Sequence, residues 1–132
     1  ILASLNHRES NVCGAGVETC EDQRKIASVF YNRLKANMPL GSDVTYQYIA
    51  DKTGVERSPN LKSPYNTRIQ KGLTPGPIAS PSLSALNAAA DPINSDYLYF
   101  LSGDDDTTYF AKTNEEHEAN VKAHCQKKCQ IS

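Results

Sequence analysis

Residues 21–36, EDQRKIASVFYNRLKA, contain the clearest helical pattern in the chain. Apolar side chains recur there at intervals of three and four residues, at Ile26, Val29, Phe30 and Leu34. That spacing places them on one face of a helix, and the acidic residues at the start suit the positive N-terminal end of such a helix. We therefore predict a helix over residues 21–36 whose apolar face packs into the core.

Two runs of β-type residues lie further along the chain, YLYFL at 97–101 and TTYFA at 107–111. The turn GDDD at 103–106 separates them, and this order predicts an antiparallel hairpin. After the hairpin, Thr113 and Glu116 have the spacing of a capping box, which should open the last helix.

The middle of the chain gives weaker signals. Ser80 as N-cap and Pro81 as first helical residue predict a helix that ends near Ala90. Residues 43–50 form a short element of uncertain type, and residues 51–81 predict a long ordered loop. The whole pattern predicts a single α+β domain of about four helices with a small antiparallel hairpin and this loop.

Length and charge narrow the class of protein. The chain has 132 residues, which predicts one domain, and a formal net charge of -1. This balance argues against a nucleic acid partner, because polyanion binding needs a surplus of basic residues. No stretch is long and apolar enough to span a membrane, and no signal peptide is visible. The chain opens inside a helical pattern without an N-cap, so we expect a fragment of a longer protein.

Four cysteines form two close pairs in the sequence, Cys13 with Cys20 and Cys125 with Cys129. An even count in a small domain indicates disulfides and an oxidising compartment. We predict the two local pairings, although a bridge between Cys125 and Cys129 requires a frayed last helical turn. Reduced thiols and a zinc site with His124 are the alternatives, but neither pair has the spacing of common structural zinc sites. We expect no metal and no cofactor.

The first ten residues, ILASLNHRES, place Glu9 at the end of an apolar helical stripe formed by Ile1, Leu2 and Leu5. A carboxyl group there is partly desolvated, which can hold its proton near neutral pH. A protonated carboxylic acid in a cleft is the group that cleavage of a glycosidic bond requires. A solvated side chain near a helix end is the plain alternative.

Ordered motifs along nearly the whole chain match one known family. They are LAS at 2–4 with ES at 9–10, ASVFYNRL at 27–34, MPL at 38–40, PYNT at 64–67, GPIA at 76–79 and YLYF at 97–100. With these strings the chain resembles the catalytic domain of the endolytic murein transglycosylases, the YceG-like family. The resemblance implies an enzyme that cleaves peptidoglycan glycan strands between N-acetylmuramic acid and N-acetylglucosamine and leaves 1,6-anhydro ends.

The resemblance also implies a setting for the chain. Residues 1–132 would be the catalytic domain of a longer, membrane-anchored protein that acts at the extracytoplasmic face of the bacterial cytoplasmic membrane. Glycan strands are the implied partner, with cell-wall synthesis machinery as a further one. Membrane contact is expected only through an N-terminal anchor that the chain lacks.

The family's catalytic glutamate corresponds to Glu9, which would act first as general acid and then as general base. We expect substrate to be bound by Ser10, Asp43, Thr45, Gln47, Tyr65, Asn66 and Thr67. Tyrosine offers an apolar face to a sugar ring, and the asparagine amide matches an N-acetyl group. An asparagine-stabilised turn is the alternative for residue 66.

Two other functions stay open at this point. A muramidase would use Asp43 as a second carboxylate to activate water, although Asp43 is equally suited to be a helix N-cap. A noncatalytic glycan-binding module is favoured by His7 and Thr108, which replace polar residues common in the family. We expect Arg33 to pair with Glu9 or Asp43.

Overall fold

The computed structural model describes residues 1–9, 20–105 and 107–127. In this part of the chain five helices and two strands follow in the order α1 Leu2–Glu9, α2 Glu21–Lys35, α3 Asp43–Thr53, α4 Leu83–Ala90, β1 Tyr99–Ser102, β2 Thr108–Ala111 and α5 Asn114–His124. The predicted α+β class is confirmed. The element of uncertain type at 43–50 is the helix α3, which Gly54 ends with a positive φ of 73°.

The apolar face predicted on α2 is in the core. Ile26, Val29 and Phe30 are buried and Leu34 is partly buried. Leu34 packs against a cluster that Ile26 and Phe30 form with residues from α1 and from the loops around α3 and α4, namely Leu2, Leu5, Leu40 and Ile78. Helical spacing thus places α2 at the centre, where it contacts α1, α4 and β1.

The hairpin pairs β1 with β2 in antiparallel register, with Tyr99 opposite Ala111 and Ser102 opposite Thr108. Phe100 contacts Phe30 of α2 edge to face, with 5.8 Å between ring centroids. The turn requires a glycine at 103, because a Cβ there would lie 2.8 Å from the ring of Tyr109. The hairpin therefore packs against the core helix and also supports α5.

Two predicted helix starts have different outcomes. The N-cap of α4 is Ser82, whose hydroxyl accepts a hydrogen bond from the Ala85 amide, so the prediction of Ser80 was two residues early. Thr113 caps α5 as predicted, since its hydroxyl accepts from the Glu116 amide. The local signal was clearer at 113 because Thr113 has Glu116 at the capping-box spacing, whereas Ser80 and Ser82 on either side of Pro81 are competing caps.

Two cysteine predictions are only partly within the described residues. Cys20 and Cys125 are buried, and neither is a free cysteine. Their predicted partners, Cys13 and Cys129, lie outside the described residues, as does Ser10. The local pairings therefore stay a prediction. Within the described ranges there is no cluster of three or more metal-ligating side chains, and no helix is long and apolar enough to cross a membrane.

Candidate active site

A cleft of about 670 Å³ opens beside Glu9. One side, which we call the Glu9 wall, consists of Glu9, Ser42, Asp43 and Arg68. The other, which we call the hairpin wall, consists of Tyr99 on β1 with Asn114 and His117 on α5. Arg33 of α2 also lines the cleft. The cavity thus lies where α1, the start of α3, the hairpin and α5 meet.

Glu9 reaches this cleft because α1 is held firmly in the core. Leu2 and Leu5 are buried, whereas Ile1 at the start of the predicted stripe is 46% exposed. Asn6 is also buried and donates to the backbone carbonyl of Gln23 at 2.9 Å. As the last residue of α1, one turn after Leu5, Glu9 is directed out of the core and into the cleft.

The environment of Glu9 favours the protonated acid. Burial of its carboxyl group raises the pKa to about 7 from an ordinary value of 4.5. The Ser42 hydroxyl donates a hydrogen bond to Glu9 Oε1 and lowers the pKa, the charge of Asp43 raises it and that of Arg68 lowers it. The sequence-based expectation of a proton held near neutral pH matches this balance of effects.

Asp43 lines the same cleft but is engaged elsewhere. Its Oδ1 accepts a hydrogen bond from Arg68 Nε at 2.6 Å, and the two side chains form an ion pair. Asp43 is the first residue of α3, and Ser42 holds the N-cap position, so the N-cap alternative for Asp43 was wrong. The ion pair also opposes the charge of Arg68, which would otherwise lower the pKa of Glu9 further.

Among the described residues Arg33 pairs with neither Glu9 nor any other carboxylate, contrary to the prediction. Its guanidinium donates to three backbone carbonyls, those of Leu98, Pro39 and Leu40, at 2.6, 3.0 and 3.1 Å. It also stacks 5.0 Å from the ring centre of Tyr99. Arg33 therefore ties α2 to the segments before α3 and before β1, and no ion pair with it lowers the pKa of Glu9.

Three predicted substrate-binding residues lie in the interior. Thr45, Asn66 and Thr67 are at most 1% exposed. Asn66 donates to the carbonyls of Pro59 and Leu61, and its own side-chain oxygen accepts from the Arg68 amide, so the turn alternative describes it correctly. The prediction of direct sugar contact does not fit these positions. Their polar groups instead order the long loop against α3.

Tyr65 and Gln47 lie away from the cleft lining. Tyr65 is partly buried beside Tyr48, with ring centroids 5.7 Å apart, and Arg8 lies 5.2 Å from the centre of the Tyr48 ring. Gln47 is half-buried on α3. Of the predicted substrate-binding residues that the structure describes, only Asp43 lines the cavity with Glu9.

The cleft contains residues that the sequence did not single out for the site. Ser42 and Arg68 join Glu9 and Asp43, and Tyr99 stacks on His117 with 5.2 Å between ring centroids. Burial lowers the pKa of His117, and the charge of Arg33 lowers it further. Ser42 had a usable signal, since a serine directly before a helix is an N-cap candidate. Arg68 had none, because its partner lies 25 residues away.

The model of the YceG-like family matches residues 1–123 of the chain. The chain belongs to the YceG-like family. This placement agrees with the fold, since the structure is similar to the crystal structure of a YceG-like protein from Listeria monocytogenes at a TM-score of 0.70 and 39% identity. That similarity covers 89% of this chain and 36% of the Listeria chain.

Two curated relatives of this YceG-like chain are named endolytic murein transglycosylase. The protein from Bacillus subtilis is 48% identical over 73% of this chain. The protein from Streptococcus pneumoniae is 38% identical over 96% of this chain. The chain spans 28% and 23% of the length of these two relatives.

Proposed function

We propose that the chain is the catalytic domain of a lytic transglycosylase that cleaves peptidoglycan glycan strands between N-acetylmuramic acid and N-acetylglucosamine. The observation that carries this proposal is a partly buried carboxyl group, Glu9, whose desolvation raises its pKa to about 7 in a 670 Å³ cleft. Membership of the YceG-like family and the names of its relatives support the substrate class. Residues 1–132 are proposed to form one such domain.

In the first half of the reaction Glu9 acts as general acid. With a pKa of about 7, a large fraction of the carboxyl groups carries a proton at neutral pH. Glu9 donates this proton to the bridging oxygen as the bond to the anomeric carbon of the muramic acid breaks, so the departing strand leaves with a new hydroxyl group.

In the second half Glu9 acts as general base. The carboxylate left by the first proton transfer takes the proton from the 6-hydroxyl of the same muramic acid. That oxygen bonds to the anomeric carbon, which closes a 1,6-anhydro ring and returns the proton to Glu9. Atoms balance without water, so one carboxyl group suffices.

The ion pair of Asp43 with Arg68 favours this reaction over hydrolysis. A base that activates water needs a lone pair free to accept its proton, and Arg68 occupies Oδ1 of Asp43. A muramidase remains the second candidate because Asp43 lines the same cleft as Glu9. In that case Asp43 would act through its other oxygen, and the products would carry reducing ends. In a noncatalytic glycan-binding module, the third candidate, the raised pKa of Glu9 would have no use.

The proposed substrate sets the location of the chain. Peptidoglycan is outside the cytoplasmic membrane, so the domain acts at the extracytoplasmic face, held there by an anchor in another part of the parent protein. Contact with cell-wall synthesis machinery is part of the same proposal. An extracytoplasmic site is also oxidising, which suits two local disulfides, Cys13 with Cys20 and Cys125 with Cys129.

The experiment that tests the proposal is mass spectrometry of purified glycan strands digested by the chain. Anhydro-ended fragments are expected. Reducing ends would replace the transglycosylase with a muramidase. Undigested strands that nevertheless bind the chain would replace both with a glycan-binding module.

A further inference from the structure

Ser42 uses its side chain in an unusual way for a helix N-cap. It holds the N-cap position of α3, yet its hydroxyl makes no capping hydrogen bond and donates to Glu9 Oε1 instead. The hydroxyls at the N-caps of α4 and α5, Ser82 and Thr113, both accept from a backbone amide of their own helix. Ser42 therefore forgoes the usual stabilising bond of its position in favour of the carboxyl group in the cleft.

The backbone of Ser42 is held on both sides by two buried threonines. The Ser42 amide donates to Thr67 Oγ1 at 2.9 Å, and the Ser42 carbonyl accepts from Thr45 Oγ1 at 2.6 Å. Thr67 Oγ1 also lies 2.9 Å from Thr45 Oγ1. We call these three residues the hydroxyl network. Its members are at most 4% exposed.

We propose that Ser42 is a positioning residue: its hydroxyl holds Glu9 Oε1 so that Oε2 carries the transferable proton and faces the bond to be cleaved. This assignment rests on the proposed role of Glu9 as acid and base. Thr45 and Thr67 contribute by fixing where the backbone of Ser42 stands.

The hydrogen bond suits both halves of the reaction. When Glu9 is the acid, Oε1 is the carbonyl-type oxygen and accepts from Ser42 while Oε2 holds the proton. When Glu9 is the carboxylate, Oε1 still accepts from Ser42 and Oε2 is the base. The same donor therefore serves both states without rearrangement, as expected of a preorganised site.

The network also explains why Thr45 and Thr67 belong to the site without lining it. Thr45 lies on α3 and Thr67 in the long loop, and together they bind the amide and the carbonyl of one residue, Ser42. A shift of either threonine would move the Ser42 hydroxyl, which donates to Glu9, relative to the carboxyl group. Small misplacements of a catalytic group can cost a large part of the rate.

The test compares Ser42→Ala with Ser42→Thr and with the matched control Ser82→Ala. Ser82 is also an N-cap serine, but its hydroxyl caps its own helix. For each variant the carboxyl carbon of Glu9 is titrated by NMR, with Glu9→Gln assigning the signal, and kcat is measured across pH on glycan strands. Spectral dispersion and thermal unfolding show whether each variant is folded.

Ser42→Ala is expected to move the Glu9 titration to higher pH, since a donor to the carboxylate is lost, and to reduce kcat about tenfold with little change in KM. Ser42→Thr keeps a hydroxyl group and should restore the titration of Glu9 and kcat to wild-type values. Ser82→Ala should lower Tm and leave the titration of Glu9 unchanged. The positioning role is overturned if Ser42→Ala leaves the titration of Glu9 unchanged. It is also overturned if Ser42→Ala leaves kcat unchanged while Glu9→Gln abolishes activity. A moved titration in a chain whose Glu9→Gln variant keeps its activity would instead overturn Glu9 as the catalytic group.

Discussion

The two walls of the cleft are built in different ways. On the Glu9 wall the partly buried end of α1 meets the buried Ser42 and a partly exposed ion pair, and the two buried threonines of the hydroxyl network lie behind Ser42. The hairpin wall rests on a two-stranded sheet and on α5, a helix in which no residue is fully buried. Its main contacts are ring stacks, such as Tyr99 on His117.

This difference indicates a division of work in the proposed enzyme. The Glu9 wall surrounds a partly buried carboxyl group with a hydrogen-bond donor and two charges, which shift its pKa and hold the acid in place. The hairpin wall offers partly exposed rings and an exposed amide, Asn114, which suit contact with a sugar. We therefore expect changes on the Glu9 wall to alter kcat and changes on the hairpin wall to alter KM.

The largest effect is expected from Glu9→Gln. The amide keeps the shape of the side chain but has no proton that it can transfer, so kcat should fall about 1,000-fold or more. The measurement is the rate at which anhydro-ended fragments appear. Near wild-type production of these fragments by the variant would contradict the mechanism. It would also contradict the expectation that changes on the Glu9 wall alter kcat.

A smaller loss is expected from Asp43→Asn, at most about tenfold in kcat. This change removes a charge that raises the pKa of Glu9 and leaves Arg68, which lowers it, without its partner. The alkaline limb of the pH–rate profile should therefore move to lower pH. If Asp43→Asn lowers kcat as much as Glu9→Gln does and the wild-type products carry reducing ends, the chain is a muramidase.

A further effect should appear on the hairpin wall. His117→Ala removes the ring that stacks on Tyr99, so KM should rise roughly three- to tenfold with kcat nearly unchanged. Kinetics on glycan strands of defined length measure both constants. A fall in kcat at constant KM would show that His117 acts in the chemical step and that the division between the walls is wrong.

The stability of the chain should also depend on Glu9 and pH. The pKa of Glu9 is raised to about 7 by folding, so its protonated form stabilises the fold below pH 4.5, and this contribution is lost as pH rises to about 7. The Glu9→Gln variant has no ionisable group at this position, so it does not lose this stability as the pH rises. The variant should match the wild type near pH 4 and exceed its Tm by a few degrees at pH 8. Equal Tm differences at both pH values would show that Glu9 is not desolvated.

The smallest effect on activity is expected from reduction of the cysteines. We predict no free thiol in the native protein when it is titrated under denaturing conditions, and a lower Tm after reduction with the cleavage rate nearly unchanged below the transition. Cys125 lines the cleft and Cys20 lies at the start of α2. Peptide mapping of the oxidised chain distinguishes the two local pairings from a bridge between Cys20 and Cys125. Four reactive thiols would indicate a reducing compartment.

Sequence reasoning performed best where the signal was local. The helix at 21–36, the hairpin and the cap at Thr113 each depend on residues within one element, and all three are present. The start of α4 was misplaced because two serines beside Pro81 offered competing caps. The substrate-contact prediction for Asn66 did not fit because residue type does not reveal whether an amide faces a cleft or a buried turn.

The sequence by itself determined the α+β class, the central helix and the place of Glu9 at the end of an apolar stripe, because periodicity and capping act between neighbours along the chain. Only the tertiary structure decided what surrounds Glu9. Ser42 is 33 residues from Glu9 in sequence, and Asp43 pairs with Arg68, which lies 25 residues further along the chain. Contacts between such distant residues depend on how helices and loops pack, and desolvation depends on everything packed around the carboxyl group, which no local pattern encodes.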